Sequence, residues 1–503
     1  MGTGKVFFVG AGPGDPKLIT LKGIEAIEKA DVVIYDRLAH PSLLNYAKED
    51  AEKIYVGKMP DRHTLTQEEI NRLLVIKALE GKIVARLKGG DPTVFGRVGE
   101  EALELKKAQI TYEIVPGITS AIAVPAYAGI PVTHRDYTSS LAIVTGHENP
   151  EKETSSINWE KLATATGTII FLMGIANLEK IRDNLIKNGR DENTPAAVIN
   201  WGTRTEQKTV TGILKDIVEK VEDSGLTNPS IIIVGEVVKL REELQWFEQK
   251  PLFGKRVLVT RARHQASELS ALIQELGGEA VEFPVIKIIP AKDDTFKKSI
   301  SQLENFDWII FTSVNGVNSF FSKLKEEKMD IRKLVKAKVA AIGPKTAELL
   351  EDKGLIVNIV PEEFRAEGLL DFLEKEITPG EKVLLPRADI ARKILPDKLK
   401  EKGLEVTEVD IYETVIDAEN KDDIIKLFKE KRIDIVTFTS SSTVKNFVEA
   451  LKDEDLENLL KEVTLASIGP ITTDTAGKLG LVVKITADEY TIPGLVQAIV
   501  DRI

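Results

Sequence analysis

The chain reads as an α/β protein: two α/β subdomains followed by two similar α/β lobes with parallel sheets. Three observations carry that expectation. Short apolar strands alternate with segments of helical spacing, glycine-rich turns follow the strands, and the C-terminal half repeats itself.

In order, Lys5 to Val9 is a strand, Leu18 to Lys29 has helical spacing, Val32 to Tyr35 is a strand, and Gln67 to Glu80 is a helix. Lys82 to Leu87 is then a third strand, and Val115-Pro116-Gly117 punctuates the unit near residue 115. A second unit, to about 241, has apolar runs at Leu141 to Val144, Thr168 to Leu172, Ala196 to Ile199 and Ser230 to Val234, with a charged helical segment at Ile213 to Glu222. Ile231 to Val234 lacks polar alternation and reads as a strand covered on both faces. Lys239 to Lys255 changes character, and 242–254 is expected to be a linker. Beyond it, Asp307 to Ser313 matches Asp434 to Ser440, and Ala341 to Pro344 matches Ser467 to Pro470, at nearly equal offsets. The halves 1–241 and 255–503 follow, the first split at about 115. The second has one lobe of about 255–285 plus 415–503 and another of about 286–414.

Two glycine loops, Gly10-Ala11-Gly12-Pro13-Gly14-Asp15 and Gly89-Gly90-Asp91-Pro92, end two strands and should converge on one crevice. A dinucleotide loop needs a third glycine, and Asp15 stands in its place. With Asp91 in the other loop, a cationic ligand rich in hydroxyl and amino groups, such as S-adenosylmethionine, fits better than a phosphate. Ordinary strand-to-helix turns, or a nucleotide-dependent oxidoreductase, are the alternatives.

Composition narrows the rest. The 503 residues are 43% apolar and 29% charged, with no cysteine, which excludes disulfides, thiolate metal sites and a cysteine nucleophile. The five histidines show no metal-ligand spacing, so no metal is expected. No apolar run approaches the roughly 18 residues of a membrane span, and a cytoplasmic protein without a signal peptide is expected. A net charge of −11 argues against nucleic acid as a partner. It leaves room for an anionic small molecule held by local clusters such as Arg86, Lys88 and Arg97.

The residues from Lys5 to Leu240 resemble the uroporphyrinogen-III C-methyltransferases of the tetrapyrrole methylase family. The resemblance lies in GAGPGDPKLITLKG (10–23), ADVVIYDRL (30–38), QEEIN (67–71), RLKGGDPTVFGR (86–97), VPGITSA (115–121), AYAGIPVTHRDY (126–137), TGH (145–147) and VGEVVKLR (234–241). Thr93 stands where Phe is common and Val98 where Gly is common. The second half resembles uroporphyrinogen-III synthases in VLVTRA (257–262), FTSVNGV (311–317), AAIGPKTAE (340–348), LPRADIAR (385–392), YETV (412–415) and FTSSSTV (438–444).

The resemblance implies a bifunctional enzyme that cyclises hydroxymethylbilane to uroporphyrinogen III with ring D inversion. It then methylates that product twice from S-adenosylmethionine to precorrin-2, toward sirohaem or cobalamin. An active methyltransferase with a two-lobed tetrapyrrole-binding regulatory module is the alternative, and a homodimer through the methyltransferase half is expected. By resemblance, Pro13, Gly89, Gly90, Asp91, Val94, Thr119, Ser120, Met173 and Gly202 line the cofactor site, Asp36 matches a proton acceptor and Lys58 a donor. Asp36 could instead pair with Arg37 or cap a turn. Charge alone nominates Arg37, Arg62, Arg97 and Arg135 for the substrate's carboxylates. In the synthase half Tyr412 is the candidate acid. Ser313, Gly343, Thr439, Ser440 and Gly469 offer hydroxyls and backbone N–H groups to propionates, and Arg261 and Arg387 add charge.

Overall fold

A computed structural model of the chain describes residues 4–57, 65–147, 155–260, 263–291, 295–361, 366–373, 376–388, 393–416 and 421–503. It falls into two compact units, one of Met1–Val257, Ser270–Val281 and Ile503, the other of Leu258–Leu269 and Glu282–Arg502.

Five strands, β1 (Lys5–Gly10), β2 (Val32–Tyr35), β3 (Glu52–Tyr55), β4 (Ile83–Lys88) and β5 (Thr111–Val115), form a wholly parallel sheet in the order β3-β2-β4-β1-β5. Both faces are covered. Val6, Phe8, Val84 and Val32 pack under helices Gln67–Leu79 and Val98–Lys107, while Val9, Ala85, Leu87 and Val33 pack on the side of helix Leu21–Lys29. Sequence explains the boundaries. Thr66 and Glu69 close a capping box on Gln67–Leu79, and Thr20 caps Leu21–Lys29 through Gly23 N, so the helix expected from Leu18 starts three residues later.

The next five, β6 (Leu141–Thr145), β7 (Thr168–Leu172), β8 (Pro195–Asn200), β9 (Lys208–Ile213) and β10 (Ser230–Val234), pair in the order β6-β7-β10-β8-β9. Here the sequence leaves strand direction open. β10 is buried along its length, as its apolar run demands, but it runs antiparallel to both β7 and β8. Burial on two faces sets composition and leaves direction open. The charged helical segment is also shorter than expected: Lys208–Ile213 is a strand and the helix covers Ile217–Ser224.

The stretch read as a linker is docked. Helix Arg241–Leu244 leads into Trp246, whose Nε1 donates to Ala126 O at 3.0 Å. Glu248 accepts from Gln207 Nε2 and Thr209 Oγ1, both at 2.7 Å, and from Arg241 at 2.5 Å. Tyr127 packs edge-on against Trp246 and Phe247. Phe247 is buried in this cluster while Trp246 stays partly exposed, so ring contacts and the Glu248 hydrogen bonds together dock a charged segment on the methylase-like portion of this unit.

The remaining strands are β11 (Arg256–Val259), β12 (Glu279–Glu282), β13 (Ile286–Pro290), β14 (Trp308–Phe311), β15 (Lys338–Ala341), β16 (Lys382–Ala388), β17 (Glu405–Ile416), β18 (Ile435–Phe438), β19 (Thr464–Ser467) and β20 (Ile485–Thr486). They form two sheets, β12-β11-β18-β19-β20 and β13-β17-β16-β14-β15. The pairs among β18, β19 and β20 and among β14, β15, β16 and β17 are parallel, whereas β13 joins β17 antiparallel. The sequence repeat is a structural one. Each copy is a strand, a serine-capped helix, a second strand, and a helix entered through Gly-Pro: Ser313 caps Val314–Glu326 and Ser440 caps Ser441–Ala450, while Gly343 and Gly469 precede Pro344–Asp352 and Pro470–Lys478.

Candidate functional site

β1 and β4 are neighbours in register, Gly10 opposite Lys88, so their two glycine loops leave the sheet side by side. They are joined by a short bridge: Gly90 N donates to Gly12 O at 2.7 Å and Gly12 N to Gly90 O at 3.3 Å. Gly12 and Gly90 both have left-handed φ, +74° and +69°, which explains the residue type at each. The third loop, Val115-Pro116-Gly117, closes on the same point. A Cβ on Gly117 would lie 2.5 Å from Gly90 O and 2.7 Å from Gly10 Cα. Part of the glycine requirement is thus the packing of three backbones on one another, and not only the approach of a ligand.

The two loop carboxylates face protein donors. Asp91 is buried; its Oδ1 accepts from Thr93 N at 2.7 Å and from the Thr93 hydroxyl, and its Oδ2 from Gly117 N at 2.9 Å. Asp15 accepts from Lys17 N at 2.9 Å and from the Tyr127 hydroxyl at 2.8 Å. Burial, helped by Asp15, pushes the Tyr127 phenol above its ordinary value, so it stays the donor. These aspartates brace the loops while keeping them electronegative.

Around them stand the remaining cofactor candidates. Thr119 caps helix Ser120–Tyr127, and Ser120 N and Thr119 Cα lie 3.6 and 3.7 Å from where a Cβ on Gly90 would be. Gly202 presses on Val124 of that helix, Thr203 Oγ1 accepts from Asp15 N at 3.0 Å, and Val94 packs with the cluster of Val124, Leu172 and Ile199. Met173 follows β7 with φ of +57° and an exposed side chain. Pro13 and Gly89 sit in the two loops, Gly89 against Leu38. Pro13, Gly89, Gly90, Asp91, Val94, Thr119, Ser120, Met173 and Gly202 therefore gather around the ends of β1, β4 and β7 and the start of one helix.

Asp36 follows β2. Its Oδ1 accepts from Leu38 N at 3.0 Å, capping the turn, and its Oδ2 faces Arg86 Nη2 at 3.3 Å, so its partner is Arg86 and not Arg37. Arg37 is exposed and stacks over Trp201 at 5.5 Å, with Arg204 at 4.9 Å from the same ring. Arg97 pairs with Glu100 at 2.6 Å, and Arg135 is exposed. The expected basic cluster is divided: Arg86 and Lys88 are buried, and Lys88 Nζ holds Glu101, a carboxylate of the chain itself, at 2.8 Å. Burial, then Arg86, lowers the Lys88 ammonium from its ordinary value, with Glu101 opposing. Lys58 and Arg62 lie outside the described residues, as does Arg261.

The sequence places Arg86 in a basic cluster open to a ligand, whereas it is buried against chain carboxylates, and Glu101 is not singled out at all. Strand alternation puts Val84, Arg86 and Lys88 on one face of β4, and Glu101 falls among Val98, Ala102 and Leu105 on the apolar face of the helix above. Two cations and an anion on facing core stripes was the available signal.

In the second unit, Tyr412 is buried with its hydroxyl 3.1 Å from Ser313 Oγ, and that oxygen also accepts from Gly316 N at 3.0 Å. Two sequence candidates therefore meet. Ser440 Oγ accepts from Thr443 N at 3.2 Å and lies 2.9 Å from Ser442 Oγ, directly after Thr439. Gly343 opens its helix, and Gly469 is covered on its Cα face by the Tyr490 ring. Arg387, expected to offer charge to a substrate, is buried and faces Glu408 at 3.2 Å.

Two family models match in tandem: "Tetrapyrrole (Corrin/Porphyrin) Methylases" over residues 5–218 and "Uroporphyrinogen-III synthase HemD" over 267–497. A relative from Ruminiclostridium josui, "Porphyrin biosynthesis protein HemD", is 39% identical over 99% of this chain and 98% of its own length. The chain belongs to the tetrapyrrole methylases, with a uroporphyrinogen-III synthase joined to the methylase. The methylase half is also 57% identical to the uroporphyrinogen-III C-methyltransferase of Priestia megaterium, over 47% of this chain and 98% of that protein. A crystal structure of uroporphyrin-III C-methyl transferase from Thermus thermophilus, complexed with S-adenyl homocysteine, matches at 39% identity over 47% of this chain and 100% of that one, TM-score 0.41. The glycine loops, Asp36 and its partners all fall in the methylase half, and Tyr412 and Ser313 in the synthase half.

Proposed function

We propose that this chain is a bifunctional enzyme of tetrapyrrole biosynthesis. The synthase half closes hydroxymethylbilane to uroporphyrinogen III with inversion of ring D. The methylase half transfers two methyl groups from S-adenosylmethionine to that product, giving precorrin-2. The observation that carries this reading is the full-length alignment with a porphyrin biosynthesis protein, spanning a methylase and a synthase that act on one intermediate.

The cofactor pocket fits its ligand in this chain's own terms. A Cβ on Gly90 would stand in van der Waals contact with Ser120 N and Thr119 Cα, so the bare glycine widens the gap before that helix, and the loops that frame it carry the negative charge of Asp15 and Asp91, suited to a sulfonium and an ammonium. When bound, S-adenosylmethionine supplies an electrophilic methyl group and leaves as a neutral thioether. Pro13, Gly89, Gly90, Asp91, Val94, Thr119, Ser120, Met173 and Gly202 hold it, and Asp36 takes the proton that the macrocycle loses as its π-system rearranges. Lys58 returns a proton. Arg37, Arg62, Arg97 and Arg135 receive the substrate's carboxylates. The reaction calls for no metal, and we place the enzyme in the cytoplasm as a homodimer through the methylase half.

In the synthase half, Tyr412 donates the proton that lets the bilane's hydroxyl leave as water. Ser313, held by its helix N-terminus, orients that phenol. Ser313, Gly343, Thr439, Ser440 and Gly469 contact propionates, with Arg261 adding charge.

Supplying hydroxymethylbilane with and without S-adenosylmethionine tests the whole reading. Uroporphyrinogen III should form in both, and precorrin-2 only with the donor. Release of the uninverted isomer alone would remove the synthase assignment and favour a regulatory module.

A further inference from the structure

Four charges of alternating sign run inward from Asp36. Its Oδ2 is 3.3 Å from Arg86 Nη2; Arg86 Nε is 3.8 Å from Glu101 Oε1; and the same Glu101 oxygen takes Lys88 Nζ at 2.8 Å and Gln67 Nε2 at 3.0 Å. Exposure falls from 26% for the Asp36 side chain to 5%, 0% and 7% for Arg86, Glu101 and Lys88. Burying such ions costs several kcal/mol each, and apolar side chains would seat helix Val98–Lys107 on β4 as well. The chain of charges leads to a single half-exposed carboxylate, at the end of a strand whose neighbour carries the Gly89-Gly90-Asp91 loop.

Arg86 is fixed in a way that serves that carboxylate. Its Nη1 donates to Leu87 O at 2.8 Å, which sets the rotation of the planar guanidinium and aims Nη2 at Asp36. Nε has no hydrogen-bond partner, nor has Glu101 Oε2, so the group stands between two carboxylates and is not seated on Glu101. Lys88 and Gln67 occupy Glu101 Oε1 and thereby leave Arg86 to Asp36. With Leu38 N on its other oxygen, Asp36 has its plane fixed by donors from two elements, and each oxygen keeps a lone pair for an incoming proton.

We propose that Arg86 is a positioning residue for methyl transfer, holding Asp36 in the orientation in which it receives the substrate's proton, while Lys88 and Glu101 hold Arg86. The proposal rests on Asp36 being the proton acceptor. The proton passes to the Asp36 carboxylate and Arg86 keeps its own.

The test is single-turnover methylation of uroporphyrinogen III by the full chain, with S-adenosylmethionine binding measured calorimetrically. Arg86→Gln should slow transfer about 10- to 100-fold, part of what a positioned acid–base group contributes, with cofactor affinity within about twofold of wild type. Arg86→Lys, which keeps the charge and loses the fork, should recover part of the rate and serves if Arg86→Gln does not fold. The decisive comparison is the double variant: Asp36→Asn/Arg86→Gln should be no slower than Asp36→Asn alone. Equal losses in both backgrounds, a wild-type rate in Arg86→Gln, or a parallel loss of cofactor binding would overturn the proposal. A fully active Asp36→Asn would remove the proton-acceptor reading itself, and this proposal with it.

Discussion

Gly117 lies so close to Gly10 that a Cβ built on it would stand 2.7 Å from the Gly10 Cα, and 2.5 Å from Gly90 O. Backbone cannot swing aside as a side chain can. Gly117→Ala should therefore destabilise the N-terminal unit by about 1–3 kcal/mol. Gly477→Ala, in an exposed helix where a Cβ meets nothing within 4 Å, should stabilise the C-terminal unit by about 0.5 kcal/mol. Urea titrations followed by tryptophan fluorescence check both, and equal effects would refute the backbone-packing account.

Asp91 ties its own loop to the next one. Asp91→Ala leaves Gly117 N–H without its acceptor and should cost about 1–3 kcal/mol, with weaker S-adenosylmethionine binding because the loop loses its brace. Asp91→Asn, which keeps an oxygen but no charge, should fall between the two. Calorimetry on both variants orders them.

His40 should make the fold acid-sensitive. Its Nδ1 accepts from Ser42 N at 3.3 Å at the start of the helix Pro41–Tyr46, and burial, then Arg204, lowers its pKa to about 4. Because the ordinary value is 6.5, the unfolded chain binds the proton first, and stability is lost as pH falls from about 6.5 toward 4. At pH 5 the loss should be about 2 kcal/mol relative to pH 7.5. His40→Gln should lose less over the same interval in urea midpoints at the two pH values.

Tyr412→Phe should lower uroporphyrinogen III formation about 10²- to 10⁴-fold and leave methylation of supplied uroporphyrinogen III unchanged. Ser313→Ala should slow the synthase less, about tenfold, and cost about 1 kcal/mol of helix capping. Isomer analysis of the product separates the enzymatic from the spontaneous ring closure.

Much of this was legible because strand ends and turns carry local signals. Gly10 and Gly89 each follow an apolar strand, and β1 and β4 prove to be neighbours; Ser313 and Ser440 announce the repeat and both cap helices. What stayed hidden depends on partners distant in sequence. Nothing local distinguishes Arg86, buried against Glu101, from a basic side chain awaiting a substrate. Neither does Ile231 to Val234 reveal that its neighbours run the other way, nor Glu248 that Gln207 and Thr209 will hold a charged stretch in place.

The sheet β12-β11-β18-β19-β20 places β11 beside β18, and Thr260 and Thr437 lock the two by exchanging hydroxyl bonds with each other's strand. During synthesis, β11 leaves the ribosome roughly 180 residues before its partner, a wait of about 10–40 s at ordinary translation speeds. Through that interval one edge of an apolar strand stands open, while the whole of the β13-to-β17 sheet emerges and can close first. Slow translation or truncation ahead of β18 should thus yield aggregates seeded at β11, not a shortened enzyme with one working lobe.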